Sequence, residues 1–218
     1  MKVTVVSICL NNKDGLQKTI ESVINQTAFN EIEYVIIDGG STDGSKEVIE
    51  QYKDYLDYWC SEPDDGIYYA MNKAIEHCHG EYSLFLNSGD YLCENNVIEK
   101  VIPLLDKDIV YGNEWKYKNK LLLSKYPDRI DEGFFKRGAL PHQSLFLSTA
   151  YLKKHPFSTK WKVLGDWKQT REAIMVDKVS YKHLNFPISV YNLFGFSSLN
   201  QNLFKEEKKQ YYSYQSKG

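Results

Sequence analysis

Four short polar clusters each follow an apolar run: Asn11-Asn12, Asp38-Gly39-Gly40-Ser41-Thr42-Asp43, Glu62-Pro63-Asp64-Asp65 and Asn87-Ser88-Gly89-Asp90. Carboxylates grouped in this way can hold a divalent cation that in turn grips phosphate oxygens, or they can accept hydrogen bonds from a base or a ribose. A second use is capping: Ser41, Thr42 or Asp43 ahead of Val48, and Asp64 or Asp65 ahead of Ile67, suit the first turn of a helix. A cap takes one residue per helix, however, and does not explain a carboxylate at the mouth of three neighbouring strands.

The elements that must position these clusters follow from periodicity. Residues 3–9, 32–37, 55–60 and 82–86 are short β-branched or aromatic runs, and the second is almost wholly apolar, as a strand covered on both faces should be. Between them, Leu16, Ile20, Val23 and Ile24 share one helical face, as do Ile67, Ala70, Met71, Ala74, Ile75 and Cys78, and then Val97, Ile98, Val101, Ile102 and Leu105. This βαβα alternation predicts an α/β chain with a parallel sheet, whose ligands bind beyond the carboxyl ends of the strands. After Leu105 the alternation breaks. Residues 109–117 and 121–124 predict a hairpin, 131–136 and 166–174 predict helices, 144–147 and 179–191 predict strands, and 205–218 predict a frayed helix or a disordered end.

Composition narrows the function. Against 29 acidic residues there are 27 basic ones, a formal charge of −2 over 218 residues, which argues against nucleic acid as a partner. Cys9, Cys60, Cys78 and Cys93 are scattered, fitting neither a disulfide framework nor a zinc site. The opening apolar run leads into Asn11-Asn12-Lys13-Asp14 where a signal peptide needs small residues, and no run approaches the roughly 20 residues of a membrane span. A cytoplasmic protein of one domain is therefore expected. No Gly-x-x-x-x-Gly-Lys-Ser/Thr is present and no Gly-x-Gly-x-x-Gly follows the first run, so ATPase and dinucleotide readings lose their support. Acids that hold a cation against a diphosphate, or accept from a ribose, suit a nucleotide-sugar site.

Val5-Val6-Ser7-Ile8 with Asn11-Asn12, Ser22-Val23-Ile24-Asn25-Gln26-Thr27, Asp38-Gly39-Gly40-Ser41-Thr42-Asp43-Gly44-Ser45 and Gly80-Glu81-Tyr82 before Asn87-Ser88-Gly89-Asp90 together resemble family 2 glycosyltransferases of the GT-A fold. The run from Glu62 to Ala74 narrows the resemblance to bacterial members that build surface polysaccharides. It is closest over 1–113 and looser to about Ser198, which implies a single GT-A domain with a donor-binding part at 1–113, an acceptor-binding part at 114–204 and a tail at 205–218.

The resemblance implies an inverting transfer of one sugar from a nucleotide-diphosphate sugar, UDP first among the nucleotides, to a hydroxyl of a glycan or lipid-linked acceptor. Ser7, Asn11, Asp38, Asp64, Lys73, Ser88 and Asp90 are the implied donor-binding residues, Asp90 also being the ligand for Mn²⁺ or Mg²⁺. Asp166, in Gly165-Asp166-Trp167, is the implied base, with His142, Gln143 and Trp167 on the acceptor side. The alternatives are a turn former for Asp38, a solvated lysine for Lys73, a structural His142 and a helix cap for Asp166. Asn87 and Gly89 stand where many members carry acids, and Tyr69 where Asp is expected, which leaves metal dependence and donor choice open. Two other functions compete: a sugar nucleotidyltransferase, whose basic Gly-rich loop after the first strand is missing, and an inactive donor-binding partner. Lipid-linked acceptors imply peripheral contact with the inner membrane face, aided by Tyr211-Tyr212-Ser213-Tyr214, and a homodimer stays open.

Overall fold

A computed structural model describes residues 1–215. The first half alternates as its periodicity requires: β1 (Val3–Cys9), α1 (Lys13–Ile24), β2 (Ile32–Asp38), α2 (Ser45–Tyr52), β3 (Tyr58–Ser61), α3 (Ile67–Glu76) and β4 (Tyr82–Phe85). The third strand starts at Tyr58 because Lys53–Tyr55 close a 3-10 turn ahead of it. There follow β5 (Tyr91–Leu92), α4 (Val97–Val101), β6 (Ile109–Tyr117), β7 (Leu121–Ser124), α5 (Glu132–Arg137), β8 (Leu145–Ser148), α6 (Thr149–Lys154), α7 (Gly165–Met175), β9 (Tyr181–Asn192), α8 (Phe196–Leu199) and α9 (Gln201–Gln215). Helix α4 is short because Pro103, which has no N–H to donate, turns the chain into the 3-10 segment Ile102–Leu104.

The strands form one mixed sheet in the order β3-β2-β1-β4-β8-β6-β9-β5, with β7 paired to β6. Strands β1 to β4 are parallel; β8 runs antiparallel between β4 and β6, so β6, and β9 parallel to it, point the same way as the first four. The carboxyl ends of six strands and the entry to β8 therefore share one edge, the carboxyl edge, which carries all four polar clusters. Side chains alternate across the sheet as the strand period demands. Val6, Ile8, Val35 and Ile37 pack with α3, α6, α7 and Tyr211 of α9 on one face, while Val5, Tyr34, Ile36 and Leu84 pack with α1, α2 and α4 on the other.

The tail departs from expectation. Residues 201–215 form a helix whose Glu207 and Tyr211 are buried; the Tyr211 hydroxyl accepts from Arg171 at 2.8 Å, and Tyr212 donates to Glu132 at 2.6 Å. Tyr211 is thereby spent on packing, while Tyr212 is half-buried. Residues 216–218 lie outside the described residues. The four cysteines are free, Cys9 and Cys78 buried, as their scatter implied.

Candidate active site

The loops of the carboxyl edge are tied to one another by their own polar side chains. Asn11, at a left-handed φ of 48°, accepts the Thr42 N–H on Oδ1 at 2.9 Å, and its own N–H donates to Ser41 Oγ at 2.7 Å. Asn12 donates from Nδ2 to the Ser88 carbonyl at 2.9 Å. Thr19, reaching from α1, donates to the Asp90 carbonyl at 2.6 Å and accepts the Gly89 N–H at 3.0 Å. Gly89 has φ 99°, and a Cβ there would lie 3.2 Å from the side-chain nitrogens of Asn12 and Asn192, so this turn admits only glycine without strain.

Asp90 sits at the centre of this edge, only 8% exposed, with Oδ1 accepting the Asn192 N–H at 2.8 Å. Burial pushes its pKa well above the usual carboxylate range; the single donor only partly offsets that, and the charge of Glu114 adds to it. Glu114, buried on β6, accepts from Tyr126 at 2.5 Å and from Gln143, and its pKa is also raised by burial. Tyr191 links the two halves: burial lifts its hydroxyl to about 12 even though Ser198 hydrogen-bonds it, and the charges of Asp90, Asp166 and Glu114 each push it up. Asp90 just ahead of β5, Glu114 within β6 and Asp166 at the start of α7 thus all lie near enough to Tyr191 of β9 for their charges to act on it.

Asp166 occupies the first turn of α7, and the cap position falls on Leu164, so Asp166 is not the cap. Its Oδ1 accepts the Tyr68 hydroxyl of α3 at 3.0 Å. Gly165 allows this contact, since a Cβ there would lie 2.7 Å from the Tyr68 ring. His142 lies between the Phe85 and Phe157 rings, near enough to Asp166 for that charge to act on it; burial nonetheless holds its pKa below the ordinary histidine value, so the ring is neutral. The 158–164 loop that delivers Asp166 is fixed from the tail, where the Glu207 carboxylate accepts the N–H groups of Lys162 at 2.8 Å and Val163 at 3.1 Å.

Several expected site residues have other work. Ser7 is fully buried within β1, donating to the Leu86 carbonyl at 2.7 Å and bonded to Tyr34, so it cannot reach a ligand. Asp38 is also fully buried and receives the N–H groups of Gly40 and Ser41 and the hydroxyls of Ser41 and Ser61. Those four bonds occupy its lone pairs, so Asp38 shapes its loop rather than offering a free oxygen. Trp167 is a core residue whose indole N–H donates to the Gly138 carbonyl at 2.9 Å; neighbours on a helix point about 100° apart, and it turns away from Asp166. Gln143 is buried against Glu114 and braces it. Asn11, Ser88 and Asp64 do lie on the rim, the Asp64 carboxylate covering Gly39 while it accepts the Gly66 N–H at 2.8 Å. Lys73 stands beside them, paired to Glu62 at 2.5 Å. Sequence reasoning missed Tyr68, Glu114, Tyr126 and Glu207; polar residues inside otherwise apolar strands were the available signal for Glu114.

Buried polar atoms are normally partnered. Of the four unpartnered ones among the described residues, Asn87 Oδ1 shares the turn of Asp90, His142 Nε2 neighbours Asp166, and Trp161 Nε1 lies on the loop leading to Asp166. No group of three or more His, Cys, Asp or Glu able to hold a metal occurs among the described residues. The hard oxygens of Asp90 and Asn87 fit a divalent cation whose remaining ligands are phosphate oxygens, and they do not form a cage that would hold one alone.

A mixed, mainly parallel sheet with acids gathered at its carboxyl edge is the architecture of a GT-A glycosyltransferase, and solved structures show that fold. S. aureus TarS in complex with UDP superposes with a TM-score of 0.70 at 19% identity, covering 88% of this chain and 60% of that one. The mannosyltransferase PcManGT of Pyrobaculum calidifontis, in complex with GDP-Man and Mn²⁺, gives 0.67 at 15% identity, over 87% of this chain and 56% of that one. Residues 4–177 match Glycosyl transferase family 2, and the chain belongs to that family. An uncharacterized glycosyltransferase of Mycobacterium tuberculosis (strain H37Rv) is 30% identical over 158 residues, 70% of this chain and 60% of its own length. A PGL/p-HBAD biosynthesis glycosyltransferase of Mycobacterium bovis (strain BCG) is 26% identical over 194 residues, 85% of this chain and 75% of that protein. The chain thus spans about 60% of the first of these relatives.

Proposed function

We propose that the chain transfers one sugar from a nucleotide-diphosphate sugar to a hydroxyl of a glycan or lipid-linked acceptor, with inversion at the anomeric carbon. The observation that carries this is the meeting of polar loops at the carboxyl edge: Asn12 and Thr19 tie the Ser88–Asp90 turn, Asp90 accepts from Asn192, Asp166 is held by Tyr68 at the start of α3, and Asn87 Oδ1 and His142 Nε2 stand unpartnered. Residues 1–113 would hold the donor through the Asn11, Asp64, Ser88 and Asp90 rim, and 114–204 the acceptor. UDP is the first nucleotide to test, because TarS is known in complex with UDP and with UDP-GlcNAc.

In this mechanism the Asp166 carboxylate accepts the proton of the acceptor hydroxyl while that oxygen bonds to the anomeric carbon from the face opposite the leaving group. The bond from carbon to phosphate oxygen breaks, and its electron pair leaves with the nucleoside diphosphate. Tyr68 orients the carboxylate by donating to Oδ1, leaving Oδ2 for the acceptor. A neutral His142 beside the base can donate or accept one hydrogen bond without adding charge. A divalent cation at Asp90 and Asn87, when bound, neutralises charge growing on the diphosphate.

The test is nucleoside-diphosphate release from a panel of UDP-, GDP- and dTDP-sugars with and without saccharide acceptors. Asp166→Asn should keep donor binding and lower acceptor-dependent turnover by roughly 10²–10⁴-fold. A fully active Asp166→Asn would overturn the assignment.

A further inference from the structure

Beyond the end of β8, β7 takes the edge of β6 that β8 leaves free, so that β6 and β7 form an outer ribbon whose Trp115, Lys116 and Tyr117 stay paired on the inner side to Val190, Tyr191 and Asn192 of β9. Leu121, Leu122 and Leu123 are consecutive and 50%, 55% and 39% exposed. Because successive residues of a strand point to opposite faces, β7 is bare on both sides. Its register places Trp115 opposite Leu123 and Tyr117 opposite Leu121, so these four share one face, with Leu122 on the other beside Lys116. The apolar surface extends to Phe194, itself exposed, because the Leu193 N–H donates to the Tyr117 carbonyl at 2.9 Å. A run of exposed leucines on an edge strand invites aggregation unless something covers it.

Charge identifies the cover. Residues 115–125 contain Lys116, Lys118, Lys120 and Lys125 and no acid, in a chain whose formal charge is −2. Lys116 pairs with Glu114, whereas the exposed Lys118, Lys120 and Lys125 form no ion pair among the described residues. Two copies of this ribbon would set lysine against lysine, which disfavours pairing edge to edge. An aliphatic strip with Trp and Tyr beside it and lysines around its tip matches the polar interface of a bilayer. There aromatic rings sit at headgroup depth and lysines meet anionic lipids.

We propose that the ribbon of Trp115 to Lys125 is a docking element for an anionic lipid bilayer. It holds the carboxyl edge at the membrane surface, with its leucines in the interface and Lys118, Lys120 and Lys125 on the headgroups. The inference concerns attachment and not turnover, so it stands or falls separately from the reaction proposed above.

Vesicle flotation of the 218-residue chain, without donor, tests it. Vesicles of phosphatidylcholine alone are compared with phosphatidylcholine and phosphatidylglycerol in a roughly two-to-one mixture. The chain should float only with the anionic vesicles, and less so as salt rises. Lys118→Glu with Lys120→Glu should lower binding by at least roughly 25-fold, about fivefold for each lysine removed. Leu121→Ser, Leu122→Ser and Leu123→Ser together should lower it by at least about tenfold while leaving the melting temperature unchanged, since the side chains are exposed. If the triple variant melts early, the lysine pair alone decides. Absence of wild-type binding to anionic vesicles, or undiminished binding by the lysine variant, overturns the proposal. So does a wild-type dimer that the leucine variant turns into a monomer while vesicle binding persists.

Discussion

Glu33 and Asp90 are carboxylates of almost equal burial, 6% and 8% exposed, at opposite edges of one sheet, yet their proton affinities move in opposite directions. At the amino edge, burial alone would raise Glu33. It accepts the His79 N–H at 2.6 Å, the Thr4 hydroxyl at 2.5 Å, the Gly80 N–H and the His79 ring, and together these outweigh burial and leave its pKa below the ordinary value. At the carboxyl edge Asp90 has one backbone donor and a like charge nearby. Glu33 has both more donors and less protein packed around it than Asp90, and the two differences together separate a carboxylate held charged in the fold from one pushed toward its protonated form. The same contrast explains an open cleft of about 640 Å³ at the amino edge. Its carboxylates are already partnered, Asp106 with Lys182, Glu81 with Lys2 and Asp108 with Ser180, and none of the four unpartnered buried atoms belongs to its lining.

Three substitutions press on that contrast. Glu33→Ala should have the largest effect on stability, about 3 kcal/mol, because it strands buried donors, and it should leave the affinity for donor unchanged; urea unfolding measures it. The pH dependence follows from the lowered pKa: the stability Glu33 supplies is complete above the ordinary carboxylate range and is lost as pH falls through its lowered value. An intermediate effect is expected for Glu207→Gln, whose amide cannot accept both loop N–H groups equally well. Loosening the Asp166 loop should reduce kcat roughly tenfold with donor KM unchanged, and steady-state kinetics would expose a purely structural role if KM and kcat moved together. Asp90→Asn should give the smallest change in stability and with the opposite sign. The native state keeps its proton between the ordinary and the raised pKa, so wild-type stability falls as pH climbs through that window. In melting scans across pH without ligand the variant should therefore exceed wild type by a few degrees at neutral pH and match it in acid.

Most of the first half was legible in sequence because each strand there is a short apolar run ended by polar residues, and β1, β2 and β3 pair in chain order. The hairpin, helices and strands of the second half were legible too, but not their order in the sheet, which depends on β8 inserting antiparallel between β4 and β6. Only that insertion brings Glu114 beside Asp90. Helix α9 was left open between a frayed helix and a disordered end for a local reason: the face it buries carries Glu207 between Phe204 and Tyr211, so a carboxylate breaks the apolar stripe. Ser7 and Trp167 were misplaced because adjacency in a motif does not fix direction. In a strand covered on both faces a serine still points into the core, and one step along a helix turns a side chain through about 100°.

The central claim is that Asp90 and the loops around it form a nucleoside-diphosphate site. Titration of UDP with Mn²⁺, followed as melting temperature, tests it most directly on wild type, Asp90→Ala and Glu33→Ala. At a ligand concentration near 100 times Kd the account predicts a gain of about 2.7 kcal/mol for wild type and for Glu33→Ala, and little or none for Asp90→Ala. An equal gain in Asp90→Ala, or no gain in wild type with UDP, GDP or dTDP, would contradict it.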